Sequence, residues 1–103
     1  MKKIDEKLFK WQVLGLISTD RKHPTTTDEL TMRIGISVRE LKSIIFELRK
    51  DFPICSKVID GGGYWMAEDA EDIRDFISLM ESRIWSTKKT IDRMQYHFEK
   101  MVD

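Results

Sequence analysis

The side chains with the clearest chemical potential in this 103-residue sequence are polar and basic residues at helical spacing within residues 38–50. Arg39, Ser43 and Lys50 fall on one side of a helix that turns 100° per residue, with Lys42 on its flank. An arginine can bridge the O6 and N7 atoms of guanine, and lysines contact phosphates. The spacing predicts a segment that contacts double-stranded DNA, with Arg39 as the first candidate for a base contact.

Other polar residues extend this candidate surface. Arg33, together with the hydroxyls of Thr25 and Thr26 at a helix N-terminus, is expected to touch phosphate. Lys57 lies in a strand beyond the helix and could reach an adjacent groove or the backbone. For each residue the alternative is a solvated surface side chain. The candidate DNA contacts are Arg33, Ser37, Arg39, Lys42, Ser43, Arg49, Lys50 and Lys57.

Two residues of the same helix fit DNA poorly. Phe46 and Glu47 fall toward the side that carries the basic residues. An exposed phenylalanine beside a glutamate is more usual in a protein interface than in a DNA groove. We therefore expect Phe46 to pack beneath the following hairpin.

The sequence predicts no enzyme, cofactor or metal site. His23 and His97 stand far apart, each without a second ligand at metal-binding spacing. Four carboxylates within residues 69–75 crowd the start of a helix, where the helix dipole favours negative charge. No Ser/His/Asp, Cys/His or phosphate-loop arrangement is visible.

Composition fits a single-domain-sized protein of the cytoplasm. The sequence is 41% hydrophobic and 35% charged, and no run of 18 apolar residues predicts a membrane span. Charges at residues 2–7 argue against a signal peptide. Cys55 is the only cysteine, which fits a reducing compartment and a buried strand position.

Charge is unevenly distributed although the net charge is zero. Residues 31–58 carry six basic and three acidic side chains, whereas residues 59–103 carry six and ten. Strong indiscriminate binding to nucleic acid needs a basic surface, which this chain lacks as a whole. The asymmetry instead suits a mildly basic DNA-binding segment, residues 31–58, followed by an acidic C-terminal part, residues 59–103.

Two capped helices with a glycine between them should position the basic residues. Thr26 and Glu29 fit a capping box, and so do Ser37 and Glu40. Gly35 can adopt the left-handed conformation that ends the first of these helices. This order predicts a helix-turn-helix whose second helix, residues 38–50, packs on the core through Val38, Leu41, Ile44, Ile45 and Leu48.

An earlier helix and a later hairpin should complete the core. A helix over residues 5–18 carries two apolar faces, which implies two packing partners. Residues 19–24 read as a loop. Strands over residues 54–59 and 64–67 flank a glycine-rich hairpin loop, which lacks the following helix that a phosphate cradle requires. The two faces of the first helix are Phe9, Val13, Leu16 and Ile17, and Ile4, Leu8 and Trp11.

A long helix is expected from Asp69 to the C-terminus, with its apolar residues in heptads. A helix of this length needs a further partner, either the second face of the first helix or the same helix in another subunit. Self-association is the favoured interpretation, with number and orientation open. The predicted oligomerisation residues are Ile77, Met80, Ile84, Ile91, Met94, Phe98 and Met101, and Thr87 interrupts the series.

Residues 34–69 resemble the winged helix-turn-helix domains of bacterial transcriptional repressors, particularly the biotin-operon-repressor-like group. The matching features are Leu48-Arg49-Lys50, a strand over residues 54–58 and Gly62-Gly63-Tyr64-Trp65. The added C-terminal helix looks more like small winged-helix proteins of phages and prophages of Gram-positive bacteria. Such repressors usually carry a ligand-binding or catalytic domain after the wing, and this chain has only a helix.

The resemblance implies a mostly α fold with a small β-hairpin, a winged helix-turn-helix over residues 1–68 and an oligomerisation helix over residues 69–103. It implies a dimeric, sequence-specific DNA-binding regulator in a bacterial or phage-infected cell. Residues 38–50 would enter the major groove, and the wing, residues 54–67, would reach the adjacent groove or backbone. The alternative is a module that uses the winged scaffold to grip a host or phage protein.

Overall fold

The computed structural model describes residues 3–57 and 62–102, with side chains described from residue 8 onward. This part of the chain forms four helices and one two-stranded hairpin, which confirms the expected mostly helical class with a long C-terminal helix. The elements are α1 (Lys3–Leu16), α2 (Thr27–Ile34), α3 (Val38–Leu48), β1 (Ile54–Lys57), β2 (Gly63–Met66) and α4 (Ala70–Met101).

The chain divides into two compact units, Met1–Ile73 and Arg74–Asp103. The first unit contains α1 to α3, the hairpin and the first turn of α4. The second unit is the remainder of α4.

Thr26 caps α2 and Ser37 with Glu40 forms the predicted capping box of α3, whereas at α2 the Glu29 carboxylate lies near Arg33 and only the Thr26 half of the predicted box is formed. Thr26 Oγ1 accepts a hydrogen bond of 3.1 Å from the backbone N–H of Glu29. Gly35 ends α2 with φ 79°, and its N–H donates to the carbonyl of Thr31. The Ser37 N–H donates to Glu40 Oε1 at 3.0 Å, and the Glu40 N–H donates back to Ser37 Oγ at 3.1 Å. Both helices therefore begin where their caps require.

The core of the first unit lies between α1, α2, α3 and the hairpin. Four of the five α3 residues expected to pack inward are buried. Val38 differs, with 46% of its surface exposed, because it is the first residue of α3 and lies at the margin of the core. The buried core residues are Val13, Ile17, Leu30, Ile36, Leu41, Ile44, Ile45, Leu48, Ile54 and Tyr64.

The second strand of the hairpin lies one residue earlier than the sequence suggests, at Gly63–Met66 against the predicted residues 64–67. β1 and β2 pair antiparallel, with Ile54 opposite Met66 and Ser56 opposite Tyr64. The predicted loop and strand end at residues 58–61 lie outside the described residues. Gly62 has φ 78°, and a Cβ at that position would come within 3.1 Å of Thr27 Oγ1. The glycine therefore serves both the backbone conformation and the close approach of α2.

The residues on either side of the expected loop, Ser18 and Thr25, pair with β2. Thr25 and Tyr64 exchange two backbone hydrogen bonds of 2.9 Å each. The Met66 N–H donates to the Ser18 carbonyl at 2.7 Å. This pairing fastens the hairpin to the helical part of the unit.

The second apolar face predicted on α1 is solvent-exposed where it is described. Leu8 and Trp11 are both more than half exposed. The third residue of that face, Ile4, lies outside the residues whose side chains are described.

The helix α4 is continuous for 32 residues, and none of its described side chains is buried. Asp69 Oδ1 accepts a hydrogen bond of 2.9 Å from the Asp72 N–H, as expected of a capping residue. Two aromatic residues outside the heptad seam lie near lysines: Lys89 Nζ is 5.4 Å from the Trp85 ring centroid, and Lys100 Nζ is 5.2 Å from the Tyr96 ring centroid. No helix in the described part of the chain is long and apolar enough to cross a membrane.

Candidate nucleic-acid interface

The outer face of α3 is fixed by the residues that α3 buries. Leu41, Ile44, Ile45 and Leu48 are inside the core, so the opposite side of the helix must face solvent. The exposed residues on that side include most of the sequence-predicted contacts. They are Arg39, Lys42, Ser43, Phe46, Arg49 and Lys50.

The acidic residues of α3 are engaged in local interactions. Glu40 accepts hydrogen bonds from Ser37, and these lower the pKa of its carboxyl below the ordinary 4.5. Glu47 Oε2 lies 2.8 Å from Lys50 Nζ. That contact lowers the pKa of Glu47 and raises the pKa of Lys50. Lys50 is therefore partly neutralised at the C-terminal end of the face.

Arg39 and Lys42 differ from Lys50 in this respect. Both are exposed, and neither forms a hydrogen bond or ion pair with any described residue. Ser43, one turn after Arg39, is also exposed. The N-terminal half of α3 thus presents two cationic side chains and a hydroxyl to solvent. A ligand that contacts them has no internal ion pair to displace.

The structure gives Arg49 an internal role. Its Nε donates to the Ile54 carbonyl at 2.9 Å, and one terminal nitrogen donates to Ser56 Oγ at 3.2 Å. Burial lowers the pKa of this guanidinium. Arg49 therefore connects the end of α3 to β1, where the sequence suggested a phosphate contact.

The remaining candidates lie on other elements of the first unit. Ser37 caps α3, so its hydroxyl oxygen is already an acceptor. Arg33, in the last turn of α2, is 3.5 Å from Glu29 in an exposed ion pair. Lys57 is half-buried at the end of β1.

Two expectations for individual residues are wrong. Phe46 does not pack beneath the hairpin, since 67% of its surface is exposed. The buried stripe of α3 turns Phe46 outward, and the hairpin meets the core through Ile54 and Tyr64 instead. Thr25 is buried, and its hydroxyl donates to the Leu16 carbonyl and accepts from the Ser18 N–H, both at 2.8 Å. It cannot contact phosphate.

Two residues support this surface through tertiary contacts. Burial raises the pKa of Tyr64, whose strand holds the hairpin against the segment before α2. Arg21 lies 3.2 Å from Asp72, a contact between residues 51 positions apart. Of the carboxylates at the start of α4, Asp69 accepts the capping hydrogen bond and Asp72 forms this ion pair. Only the capping role follows from sequence spacing.

The predicted oligomerisation residues form an exposed apolar stripe on α4. Ile84 is 69% exposed, and Ile77, Ile91, Met94, Phe98 and Met101 are each at least half exposed, while Met80 is half-buried. A shallow concavity in this stripe is lined by Met80, Arg83, Ile84, Thr87, Lys88 and Ile91. These described side chains therefore form a largely solvent-exposed apolar surface.

Among the described residues, no group of three or more His, Cys, Asp or Glu side chains is arranged to hold a metal ion. Cys55 is buried, and burial raises the pKa of its thiol. Comparison of the chain with protein-family models and with curated proteins finds no match.

Proposed function

We propose that this protein is a winged helix-turn-helix DNA-binding regulator that acts as a dimer through α4. In this proposal, α3 is the recognition helix in the major groove of double-stranded DNA, and the hairpin is the wing. The protein carries out no catalytic step and needs no cofactor. Its setting is the cytoplasm of a bacterial or phage-infected cell.

The observation that carries the proposal is the availability of Arg39 and Lys42. Both project from the exposed side of a helix whose carboxylates, Glu40 and Glu47, are held by Ser37 and Lys50. A recognition helix reads base edges mainly with residues near its N-terminus, which is where Arg39 lies. Arg39 is assigned to guanine, and Lys42 and Ser43 to bases or phosphates.

The exposed Phe46 has a place in this assignment. Apolar side chains such as phenylalanine can contact the C5-methyl group of thymine in the major groove. Phe46 lies two turns beyond Arg39 on the same side of α3. A thymine a few base pairs from the Arg39-contacted guanine is therefore part of the proposed target.

Selection from a random pool of duplex DNA tests the proposal. We expect enrichment of a two-fold symmetric sequence, because a symmetric dimer reads two related half-sites. Arg39→Ala should then weaken binding to the selected sequence by about 1–3 kcal/mol for each half-site. Arg93→Ala, which removes the same charge from an exposed position on α4, is the matched control and should bind normally. No enrichment and no binding at low salt would reject the proposal.

Phe46 also favours a second candidate function, a module that binds another protein. An exposed aromatic ring such as that of Phe46, in the last turn of α3, is a typical anchor of a protein interface. In that case a host or phage protein would bind to Phe46, the hairpin or α4. Absence of DNA binding by the intact protein, with Arg39→Ala and Arg93→Ala indistinguishable, would favour this candidate.

A further inference from the structure

The seam of α4 has a definite arrangement of charges. Ile77, Ile84, Ile91 and Phe98 occupy the first core position of successive heptads, and Met80, Thr87, Met94 and Met101 the second. Charged residues border this seam at only a few places. In the central part of the helix they are Glu81 and Lys88 on one border and Arg83 on the other. All three are exposed.

A parallel pair of α4 helices would bring like charges together. In a parallel coiled coil, flanking residues on opposite borders face each other across the interface. Arg83 of one copy would meet Lys88 of the other, and symmetry would repeat the contact. Thr87 would also face Thr87 in the core. Glu81 would gain no basic partner.

An antiparallel pair brings opposite charges together. When Ala70 of one copy lies opposite Met101 of the other, the full length of α4 overlaps. The core layers then pair Ile77 with Met94, Met80 with Ile91 and Ile84 with Thr87. Residues on the same border now face each other, so Glu81 of each copy lies beside Lys88 of the other. Thr87 is matched with an isoleucine in place of a second threonine.

The charges also select the register of this pair. Sliding one helix by a heptad in one direction places Glu81 opposite Glu81, and sliding it in the other direction places Lys88 opposite Lys88. Both shifts also shorten the overlap by seven residues. The register with two attractive pairs is therefore also the register that covers the most apolar surface, and both effects favour one arrangement.

We infer that α4 binds α4 of a second copy of this chain as an antiparallel coiled coil with Ala70 opposite Met101. This inference rests on the dimer of the proposed function and adds its orientation and register. The exposed stripe and its concavity lined by Ile84 and Ile91 are the surface that the second copy covers.

Charge reversal tests the orientation. Lys88→Glu should weaken dimerisation about tenfold at low salt, since two attractive contacts become repulsive. Glu81→Lys should also weaken it, and the double variant should restore the wild-type dissociation constant to within a few-fold. The double variant also loses the intrahelical contact between Lys88 and Asp92, 3.8 Å, as Lys88→Glu does. Recovery in the double variant therefore reports the contact between helices.

A parallel dimer gives the opposite result for one variant. Lys88→Glu would then face Arg83 and tighten the dimer, and Glu81→Lys would not compensate it. Sedimentation equilibrium at several protein concentrations measures these constants. Tighter dimerisation by Lys88→Glu, or purely additive effects of the two substitutions, would overturn the inference.

Spin labels provide a second test that does not depend on charge. With Cys55→Ala as background, a label at Glu99→Cys should lie about 40 Å from its copy in the antiparallel dimer, from 1.5 Å of rise per residue. In a parallel dimer the labels would lie within roughly 20 Å, because packed helices are about 10 Å apart. A short distance overturns the orientation and leaves the proposed DNA binding intact. A protein that stays monomeric overturns the inference, while the Arg39→Ala test still decides DNA binding.

Discussion

At the residue scale, the reciprocal pair of Ser37 and Glu40 fixes where α3 begins. Each side chain accepts a hydrogen bond from the backbone of the other, so two N–H groups that the helix leaves unpaired are satisfied. Arg39 lies between them, and its direction depends on this first turn. The capping pair therefore supports the candidate base contact without touching DNA.

The ionised form of Glu40 should contribute to stability in a pH-dependent way. Its folded-state pKa is lowered, so the contribution is present above the ordinary value of 4.5 and is lost as pH falls through the folded-state pKa. Glu40→Gln should lower the melting temperature at pH 7, and the difference should shrink below about pH 4. Thermal unfolding followed by circular dichroism at pH 3 to 7 measures this.

Glu99→Gln is the control for that series. Glu99 is exposed near the C-terminal end of α4, so its substitution should give a smaller effect that varies little with pH. If the melting temperature of the wild type exceeds that of Glu40→Gln by the same amount at pH 3 and pH 7, the ionised carboxylate does not have this role. Ser37→Ala should lower stability by about 1 kcal/mol at pH 7, the usual cost of losing an N-cap.

Single residues were predictable where their partners are close in sequence. Thr26, Gly35 and Ser37 act within four positions of themselves, so spacing alone identifies their roles. Phe46 and Thr25 depend on tertiary packing, and their expected positions were wrong. Arg49 is similar, because its hydrogen bond to Ile54 follows from how α3 and β1 meet. Helical periodicity assigns such side chains to one face of a helix, but it does not identify the residues of other elements that pack against that face.

At the element scale, α3 and α4 show two uses of an apolar stripe. The stripe of α3 is buried by its own unit, whereas α4 has no buried residue along 32 positions. Sequence periodicity identified both stripes, since it depends only on the spacing of apolar residues. What covers each stripe depends on the rest of the molecule or on a second copy. The strand β2 lies one residue earlier than predicted, because strand ends in a hairpin depend on pairing with the neighbouring strand, which composition alone does not specify.

A charge in the α4 seam should prevent dimerisation. Ile91→Lys would bury an unpaired ammonium group against Met80 of the second copy, and an uncompensated buried charge costs several kcal/mol. We expect a monomer at micromolar concentration by light scattering. Ser82→Lys adds the same charge on the side of α4 away from the seam and should leave the dimer intact. If both variants, or neither, dissociate the protein, the seam is not the interface.

At the scale of the whole molecule, zero net charge limits what one copy can do with DNA. Phosphate contacts supply most of the affinity of a DNA-binding protein. The six basic residues within 31–58 include Arg49, which is committed to β1, and Lys50, which is paired with Glu47. One copy of the proposed DNA-binding domain therefore offers few basic side chains for phosphate contacts. Two copies on one duplex double that number. A weakly basic DNA-binding domain therefore gains affinity for DNA when an oligomerisation helix joins two copies of it.

The salt dependence of binding measures this coupling. The logarithm of affinity should fall with the logarithm of salt concentration at a slope of about −0.9 per phosphate contact. Ile91→Lys, if monomeric, should bind the selected DNA with about half the slope of Ser82→Lys, which keeps the dimer and carries the same added charge. Fluorescence anisotropy between about 50 and 200 mM salt separates the two variants. Equal slopes would mean that one copy of the DNA-binding domain makes all the phosphate contacts, and the dimer would then have no part in DNA affinity.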